Sequence, residues 1–422
     1  MKIVVIMDKF KESLSAREAA DAISDGLRAS GNAGLKNSDS ALQICSIPLA
    51  DGGDGTIEAL EDIAGGERVV VKSLDPLGRE IDVPVLRMGD RFICEMAKST
   101  GLTLLSKGER DPLLTSSYGL GMVIKAIAAM RAQELIIGIG GSATNDCGVG
   151  MLQALGYRFY ERSGGLLGGS ARAAAILKGE DMMRIAGIDD SMVDATLRGL
   201  KITVANDVIN PLTGVYGATQ VYGPQKGATP AIVEELEAGV VNFAGVAAKF
   251  LGKDYSKIPG SGAAGGVGFA LGAFLGAELR QGWRVLFDML DVEEMVKEAD
   301  LVITGEGRVD GQSLSGKLID GVRTICKKYE RRLWVICGDN LLTERELKQA
   351  GIEQLYAISQ IEPVKALAIK NARQHLYDII LYLCNAHLKQ KEFRGSNYLD
   401  IVRALRFNRF PRVFSSIFSQ FP

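Results

Sequence analysis

Six glycine-rich loops carry most of the side chains in this chain that could handle a phosphate group. Glycine lets backbone N–H groups approach an anion closely, and a helix that follows the loop adds partial positive charge at its N-terminus. The loops begin at Asp8 (DKFKESLS), Ala50 (ADGGDGT), Gly138 (GIGGSATNDCGVG), Asn206 (NDVINPLTG, continuing to GPQKGA), Pro259 (PGSGAAGGVG) and Thr304 (TGEGRVDGQSLSGK). Several such loops in one chain predict a phosphate-handling site.

The last loop concentrates charge at the carboxyl end of a predicted strand, which is where ligands bind in open α/β sheets. In phosphoryl transfer a carboxylate can hold Mg²⁺ or accept a hydroxyl proton, and a cation can neutralise the transferring phosphate. Glu306 and Asp310 are therefore candidate metal ligands, and with Arg308 they are candidate catalytic residues. Lys317 is a candidate cofactor contact. A surface loop with mutually paired charges is the structural alternative.

The same loop resembles two nucleotide-binding motifs without completing either. Its spacing G-x-x-x-x-G-K, ending at Lys317, is that of a P-loop, but Leu318 stands where the Mg²⁺-binding hydroxyl is needed. Its first two glycines begin a dinucleotide fingerprint, but Asp310 occupies the position of the third glycine. The sequence thus disfavours NAD and a true P-loop, and phosphate binding at this helix start stays open.

The two N-terminal loops offer further catalytic candidates. Asp8 stands at the end of a predicted strand with Lys11 three residues on, and Asp51 and Asp54 precede a helix that starts near Thr56. These aspartates could contact a metal or substrate hydroxyls, whereas capping of a helix start is the ordinary alternative. For Lys11 the alternatives are an anion contact and a solvated side chain.

Two central loops open apolar helices and present hydroxyl, amide and backbone donors that suit a phosphate or a carboxylate. Their candidate cofactor-binding residues are Gly140, Gly141, Ser142, Asn145, Asp146, Ser261, Gly262 and Gly265. Asp146 could equally cap its helix. The long loop between them is of a kind that is usually functional or disordered. Its candidate substrate-binding residues are Asp207, Asn210, Gln225 and Lys226.

Composition bounds the class of protein. At 422 residues, 47% apolar and 24% charged, the chain is long enough for two domains of ordinary globular composition. Its net charge of −2 gives no case for nucleic acid, so a small-molecule partner is expected. The six scattered cysteines form no CxxC pair and indicate neither zinc nor a disulfide framework. With apolar runs too short for a signal peptide or a membrane span, we expect a cytoplasmic protein and leave homo-oligomerisation open.

Strand-like runs alternate with amphipathic helices at both ends of the chain, which predicts an α/β fold with a parallel sheet. We expect two domains: a Rossmann-like parallel-sheet domain built from residues 1–80 and 286–390, and an inserted α/β domain at 81–285, with the active site in the cleft between them. Residues 391–422 form an atypical C-terminal tail, rich in basic and aromatic side chains. Such a tail could bind a membrane surface or nucleic acid, but composition alone favours an appended extension.

Taken in order, the six loops resemble the motifs of bacterial glycerate kinases, the type 1 glycerate 2-kinase family that phosphorylates the 2-hydroxyl of D-glycerate. The likeness runs from about Met1 to about Lys370. The resemblance implies the same discontinuous domains, and conversion of ATP and D-glycerate to 2-phosphoglycerate and ADP with Mg²⁺.

The implied mechanism is in-line transfer, with one aspartate as base and lysine or arginine on the γ-phosphate. Which aspartate acts, and which loop takes ATP and which glycerate, is left open. A non-catalytic hydroxy-acid sensor and another small hydroxy-acid kinase are the alternatives.

Overall fold

The structure, a computed structural model, describes residues 1–34, 42–49, 56–169, 175–314, 316–352 and 354–384. Two of the candidate catalytic residues, Asp51 and Asp54, lie outside the described residues, and so does the tail at 391–422.

Strands and helices alternate along most of the described chain. The strands are β1 (Lys2–Met7), β2 (Gln43–Pro48), β3 (Glu67–Leu74), β4 (Glu80–Met88), β5 (Arg91–Glu95), β6 (Glu134–Gly138), β7 (Arg158–Tyr160), β8 (Gly187–Asp189), β9 (Lys201–Ala205), β10 (Glu278–Arg280), β11 (Leu301–Gly305), β12 (Arg308–Val309), β13 (Arg332–Cys337), β14 (Asp339–Asn340) and β15 (Gln354–Ala357). The α-helices are α1 (Ala16–Gly34), α2 (Thr56–Ala64), α3 (Met96–Thr100), α4 (Tyr118–Ala129), α5 (Val149–Ala154), α6 (Ala218–Tyr222), α7 (Pro230–Leu251), α8 (Val267–Phe274), α9 (Gly282–Met289), α10 (Val292–Lys297), α11 (Leu318–Lys328), α12 (Glu344–Gln349), α13 (Ile358–Ile361), α14 (Lys365–Lys370) and α15 (Ala372–Leu383).

The first sheet is parallel and has the order β2-β1-β11-β13-β15. Both ends of the chain contribute strands, so the predicted α/β fold with a Rossmann-like parallel sheet is confirmed. In this order the chain moves from β1 to one neighbour and then crosses to the other, which makes the gap between β1 and β11 the topological switch point. Ligands of such sheets bind at the carboxyl ends of the strands at this point.

Helix α1 covers the first sheet with the face that its apolar spacing predicts. The side chains of Ala19, Ala20, Ile23 and Leu27 are fully buried in one core. Gly26 lets α15 come close, because a Cβ at this position would lie 2.0 Å from Cγ2 of Ile380.

The second sheet has the order β10-β9-β6-β5-β4-β3, with β10, β9, β6 and β5 parallel and β4 and β3 antiparallel at one edge. β3 pairs with β4 along its whole length, so residues 67–74 extend this sheet rather than the first one.

Contacts between Cα atoms divide the chain into two compact units, which we call unit 1 (residues 1–50 and 287–422) and unit 2 (residues 51–286). Each unit has its own apolar core among the described residues. The assignment of two domains with the stated boundaries stays a prediction. No helix within the described ranges is long and apolar enough to cross a membrane.

Candidate active site

In unit 1, the loops after β1 and β11 meet at the switch point of the first sheet. The backbone N–H of Asp8 donates to the oxygen of Gly305 at 2.9 Å. A Cβ on Gly307 would lie 3.1 Å from the backbone nitrogen of Lys11, so this glycine permits the close approach of the two loops. The structure therefore brings Asp8 and Lys11 next to the charged loop that begins at Thr304.

Glu306 is a half-buried carboxylate at the edge of the first sheet formed by the carboxyl ends of its strands. Its Oε1 atom is buried and has no hydrogen-bond partner in the described structure. Burial raises the pKa of the Glu306 carboxyl, and a hydrogen bond from Ser313 and the positive charge of Lys317 oppose that rise. Asp310 adds to the rise and Lys11 opposes it. A second carboxylate and two lysines thus lie within electrostatic reach of Glu306.

Asp310 shapes the turn that follows β12. Its Oδ1 accepts from the backbone nitrogens of Gln312 at 2.8 Å and Ser313 at 3.3 Å. These turn contacts use one carboxylate oxygen, so Oδ2 is not needed to hold the turn.

The carboxylates of Glu306 and Asp310 are of the chemistry that Mg²⁺ accepts when phosphate and water complete its shell. No group of three or more His, Cys, Asp or Glu side chains in the described ranges could hold a metal ion. Mg²⁺ usually keeps several waters and is bound by one or two carboxylates plus substrate phosphates. The unpartnered Oε1 of Glu306 is a hard oxygen ligand of the kind that Mg²⁺ prefers.

Lys317 does not belong to a P-loop. It is the N-cap residue of α11, and its Nζ contacts Oε1 of the neighbouring Gln312 at 3.3 Å. The N–H of Gly316, which a P-loop would direct at phosphate, donates instead to Oδ2 of Asp320 at 2.9 Å. The exposed lysine remains available to an anion, while the N–H of Gly316 is directed at Asp320.

Asp339 is a residue of this edge that the sequence analysis missed. It opens β14, which pairs with β12 so that Asp339 lies opposite Arg308. Nε of Arg308 lies 4.0 Å from Oδ2 of Asp339, and Ser359 donates to Oδ1 of Asp339 at 2.8 Å. The sequence contained a sign of this residue, because Asp339 follows the apolar strand β13 in the same way that Glu306 follows β11.

In unit 2, Lys226 reaches from its loop into the loop after β6. Its side chain is buried, and Nζ donates to Oγ of Ser142 at 2.9 Å and to the backbone oxygen of Thr144 at 2.6 Å. Burial lowers the pKa of Lys226 to about 7, and the negative charge of Asp146 opposes that shift. This predicted substrate contact therefore also holds a predicted cofactor loop in place.

Asp146 is buried and joins the starts of two helices. Its Oδ2 accepts from the backbone and hydroxyl of Ser117 at 2.8 and 2.7 Å, just before α4. Its two oxygens also accept from the backbone of Gly148 and Gly150 at the start of α5. Burial raises the pKa of Asp146, and these bonds oppose that rise. The contacts are those of the capping alternative, and a cofactor contact by Asp146 stays a prediction.

Two polar atoms beside Lys226 have no hydrogen-bond partner in the described structure, namely Oγ1 of Thr144 and Oδ1 of Asn145. The amide nitrogen of Asn145 donates to Thr219 at 3.0 Å. Gly265 packs directly against this loop with φ at +67°, and a Cβ there would lie 2.1 Å from the backbone oxygen of Thr144. Gly265 thus permits a close backbone approach that a side chain would block, and its cofactor contact stays a prediction.

The remaining candidates in unit 2 are spread over neighbouring loops. Oγ of Ser261 donates to the oxygen of Ser256, and the N–H of Gly262 donates to the oxygen of Asn210. Asp207 accepts from the backbone of Gly282 at 2.9 Å. Gly140 is half-buried, while Gly141 and Gln225 are exposed. The structure brings Ser142 and Lys226 into contact and joins Gly262 to Asn210.

Glu95 is a second residue that the sequence analysis missed. It ends β5, is buried, and accepts from the backbone nitrogen of Ile57 at 2.7 Å, at the start of α2. Lys98 lies 3.8 Å from Glu95 and 3.2 Å from Glu58. Its position as an acidic residue at the end of a strand could have identified Glu95 from the sequence.

Comparison with known proteins gives a consistent result. The sequence model of the glycerate kinase family matches residues 3–386. A glycerate kinase of Bacillus subtilis is 41% identical over 360 residues, which cover 85% of this chain and 90% of the relative. A glycerate 2-kinase of Escherichia coli is 41% identical over 361 residues, with the same two coverages of 85% and 90%. A crystal structure from Salmonella typhimurium, provisionally described as glycerate kinase 2, has 39% identity and a TM-score of 0.74, and covers 92% of this chain and 99% of its own.

Proposed function

The chain belongs to the glycerate kinase family, and we propose that it transfers the γ-phosphoryl group of ATP to the 2-hydroxyl of D-glycerate. The products are 2-phosphoglycerate and ADP, and Mg²⁺ is required. Family membership makes the protein a kinase, and the relative named glycerate 2-kinase supports the choice of hydroxyl.

The observation that carries the proposal is the buried, unpartnered oxygen of Glu306 at the switch point of the first sheet. Asp310, Lys11 and Lys317 lie within electrostatic reach of this carboxylate. A loose phosphoryl-transfer transition state spreads negative charge over three oxygens, so catalysis depends on positioning and charge neutralisation. Carboxylates that hold a metal and cations that hold phosphate are the groups that this chemistry needs.

The two carboxylates and the two lysines divide the work. Glu306 and Asp310 would hold Mg²⁺, which when bound neutralises charge on the phosphate oxygens. Lys11 and Lys317 pair with phosphate oxygens directly and reduce repulsion between the phosphate and these carboxylates.

Asp8 accepts the proton of the attacking hydroxyl in this proposal. It lies at the end of β1, beside the β11 loop that carries Glu306. Arg308 contacts the transferring group and is oriented by Asp339. In unit 2, Ser142, Asp207 and Gln225 stay predicted contacts of cofactor or substrate.

The test of this site is Glu306→Gln, which removes the charge and keeps the shape of the side chain. We expect kcat to fall at least about tenfold, because a charge-assisted contact is worth about 1.5–3 kcal/mol. The Mg²⁺ concentration that gives the half-maximal rate should rise. Glu344→Gln, at an exposed position at the start of α12, is the matched control and should behave as the unaltered protein. Unchanged kinetics in Glu306→Gln would remove the metal and phosphate site from this edge.

A further inference from the structure

Ser313 is a buried side chain in a turn of unit 1 that otherwise faces solvent. Its exposed fraction is 1%, whereas the neighbouring Gly311 and Gln312 are exposed. The turn lies between β12 and α11, in the loop that carries Glu306 and Asp310. A serine hydroxyl that is removed from water needs hydrogen-bond partners in the protein, because burial without them is costly.

The partners of Ser313 are the two candidate metal ligands. Its Oγ accepts from the backbone nitrogen of Asp310 at 3.1 Å, and its own backbone nitrogen donates to Oδ1 of Asp310 at 3.3 Å. Its hydroxyl donates to the carboxyl group of Glu306. One hydroxyl can accept and donate at the same time, since it has two lone pairs and one proton. Ser313 therefore links the backbone at Asp310 to the side chain of Glu306.

The hydrogen bond from Ser313 leaves one oxygen of Glu306 for a ligand. Oε1 of Glu306 is buried and has no hydrogen-bond partner in the part of the chain that the structure describes. The Ser313 hydroxyl thus holds the carboxylate through the other oxygen, Oε2. A carboxylate held in this way has fewer orientations open to it and still offers an oxygen to a cation. Residues that orient a metal ligand by a hydrogen bond, without touching the metal, work by this arrangement.

The shape of the turn does not depend on the hydroxyl alone. Oδ1 of Asp310 accepts from the backbone nitrogens of Gln312 and Ser313, and these two bonds need no side chain at position 313. If the hydroxyl served only the turn, its loss would lower stability and leave the binding of a cation as it was. A positioning role for the hydroxyl predicts the opposite emphasis, so the two roles can be separated by experiment.

We propose that Ser313 is a positioning residue that orients the Glu306 carboxylate, and fixes its place relative to Asp310, for the binding of a divalent cation. The hydroxyl is occupied by Asp310 and Glu306, so Ser313 acts through these residues and not on the cation. This inference rests on the proposed function, because it takes Glu306 and Asp310 as the metal ligands.

The experiment measures Mn²⁺ binding to the protein in the presence of ADP by electron paramagnetic resonance of the free ion, so it needs no turnover. Ser313→Ala removes the hydroxyl, and we expect the dissociation constant for Mn²⁺ to rise roughly tenfold or more, as for other residues that orient a metal ligand. Ser313→Cys, which fills the position with a much weaker donor, should show the same loss. Ser313→Thr keeps a hydroxyl and should restore most of the affinity. Binding of ADP in EDTA should stay unchanged in all three variants.

Ser30→Ala is the matched control. Ser30 is also a buried serine of unit 1, 6% exposed, and its hydroxyl donates to the backbone oxygen of Leu27 at 2.8 Å within α1. Helix α1 runs from the carboxyl end of β1 back to the start of the parallel strand β2, so Ser30 lies toward the opposite edge of the sheet. The affinity for Mn²⁺ should be the same in Ser30→Ala as in the unaltered protein.

A double-mutant cycle tests whether the effect passes through Glu306. Ser313→Ala should add little to the loss of Mn²⁺ affinity that Glu306→Gln causes, because the residue that it orients has already lost its charge. Unchanged Mn²⁺ affinity in Ser313→Ala and Ser313→Cys would overturn the proposal. Losses that add fully in the cycle would also overturn it, and so would an equal loss of ADP binding in EDTA, which would indicate a disturbed loop.

The fate of the proposed function is separate. If Ser313→Ala weakens Mn²⁺ binding while the unaltered protein does not phosphorylate glycerate, the role of Ser313 stands and the proposed function fails. If the unaltered protein phosphorylates glycerate and Mn²⁺ affinity is the same in Ser313→Ala, the proposed function stands and the role of Ser313 is wrong.

Discussion

Nζ of Lys226 lies 2.9 Å from Oγ of Ser142, inside unit 2 and away from solvent. The lysine belongs to the loop after α6 and the serine to the loop after β6, so one buried side chain ties two glycine-rich loops together. Burying an amine disfavours its charged form, which makes this contact sensitive to pH.

Replacing Lys226 by methionine should change how stability depends on pH. The folded pKa is lowered to about 7, against about 10.4 for an unfolded lysine. Between these values the unfolded chain carries a proton that the folded chain lacks, so this group's contribution to stability rises with pH and its penalty is complete below pH 7.

Urea unfolding at pH 7 and pH 9.5 measures this effect. The unaltered protein should gain stability relative to Lys226→Met as pH rises, by up to about 1.4 kcal/mol per pH unit. Lys249→Met, at an exposed position near the end of α7, is the control and should leave the slope unchanged. Equal slopes for the unaltered protein and Lys226→Met would show that the amine titrates alike in both states.

Gly265→Ala should destabilise unit 2 strongly. The position has φ at +67°, and the new Cβ would lie 2.1 Å from the backbone oxygen of Thr144. We expect a loss of about 2–4 kcal/mol from backbone strain and overpacking. Gly245→Ala in α7, where a Cβ meets nothing within 4 Å, should be neutral or stabilising by up to about 1 kcal/mol. Similar melting temperatures for the two variants would contradict the close approach.

Much of the fold could be predicted because strand and helix periods are local properties of the sequence. The alternation predicted at both ends of the chain is confirmed by the parallel sheet of β1, β2, β11, β13 and β15. The pairing of β3 with β4 was not predicted, because periodicity shows that residues form a strand and not which strand they pair with. Its partner β4 follows it along the chain, which is the ordinary arrangement of a hairpin.

The sequence predicted those residues of the candidate site that lie at the ends of strands. The rule that ligands bind at carboxyl ends led to Asp8 and Glu306, and a consistent use of it would have led to Glu95 and Asp339. The buried state of Lys226 could not be predicted, because it depends on packing between loops that are distant in sequence. From the composition of the loop alone, a lysine among glycines is predicted to be exposed.

Asp339→Asn should reduce activity through Arg308. The two side chains lie opposite each other in the β12–β14 pair, 4.0 Å apart. If Asp339 orients the guanidinium, the single variants Asp339→Asn and Arg308→Ala should each lower kcat/KM for ATP, the latter by roughly tenfold or more. Their double variant should then be no worse than Arg308→Ala alone. Fully additive losses in this double-mutant cycle would show that the two residues act independently.

Lys317→Ala should weaken ATP binding or slow transfer by roughly tenfold or more, because one charge-assisted contact to phosphate is lost. The lysine is exposed at the start of α11 and lies near Glu306. Lys327→Ala, in the last turn of the same helix, is the matched control. Kinetics indistinguishable from the unaltered protein would return Lys317 to the class of solvated surface lysines.

The most direct measurement is the identity of the phosphorylated product. Purified protein is incubated with ATP and D-glycerate, with and without Mg²⁺, and the product is resolved by ³¹P NMR against both phosphoglycerate standards. We expect 2-phosphoglycerate with Mg²⁺ and no turnover without it. Formation of 3-phosphoglycerate alone, or no phosphorylation of glycerate with fresh Mg-ATP, would contradict the proposed function.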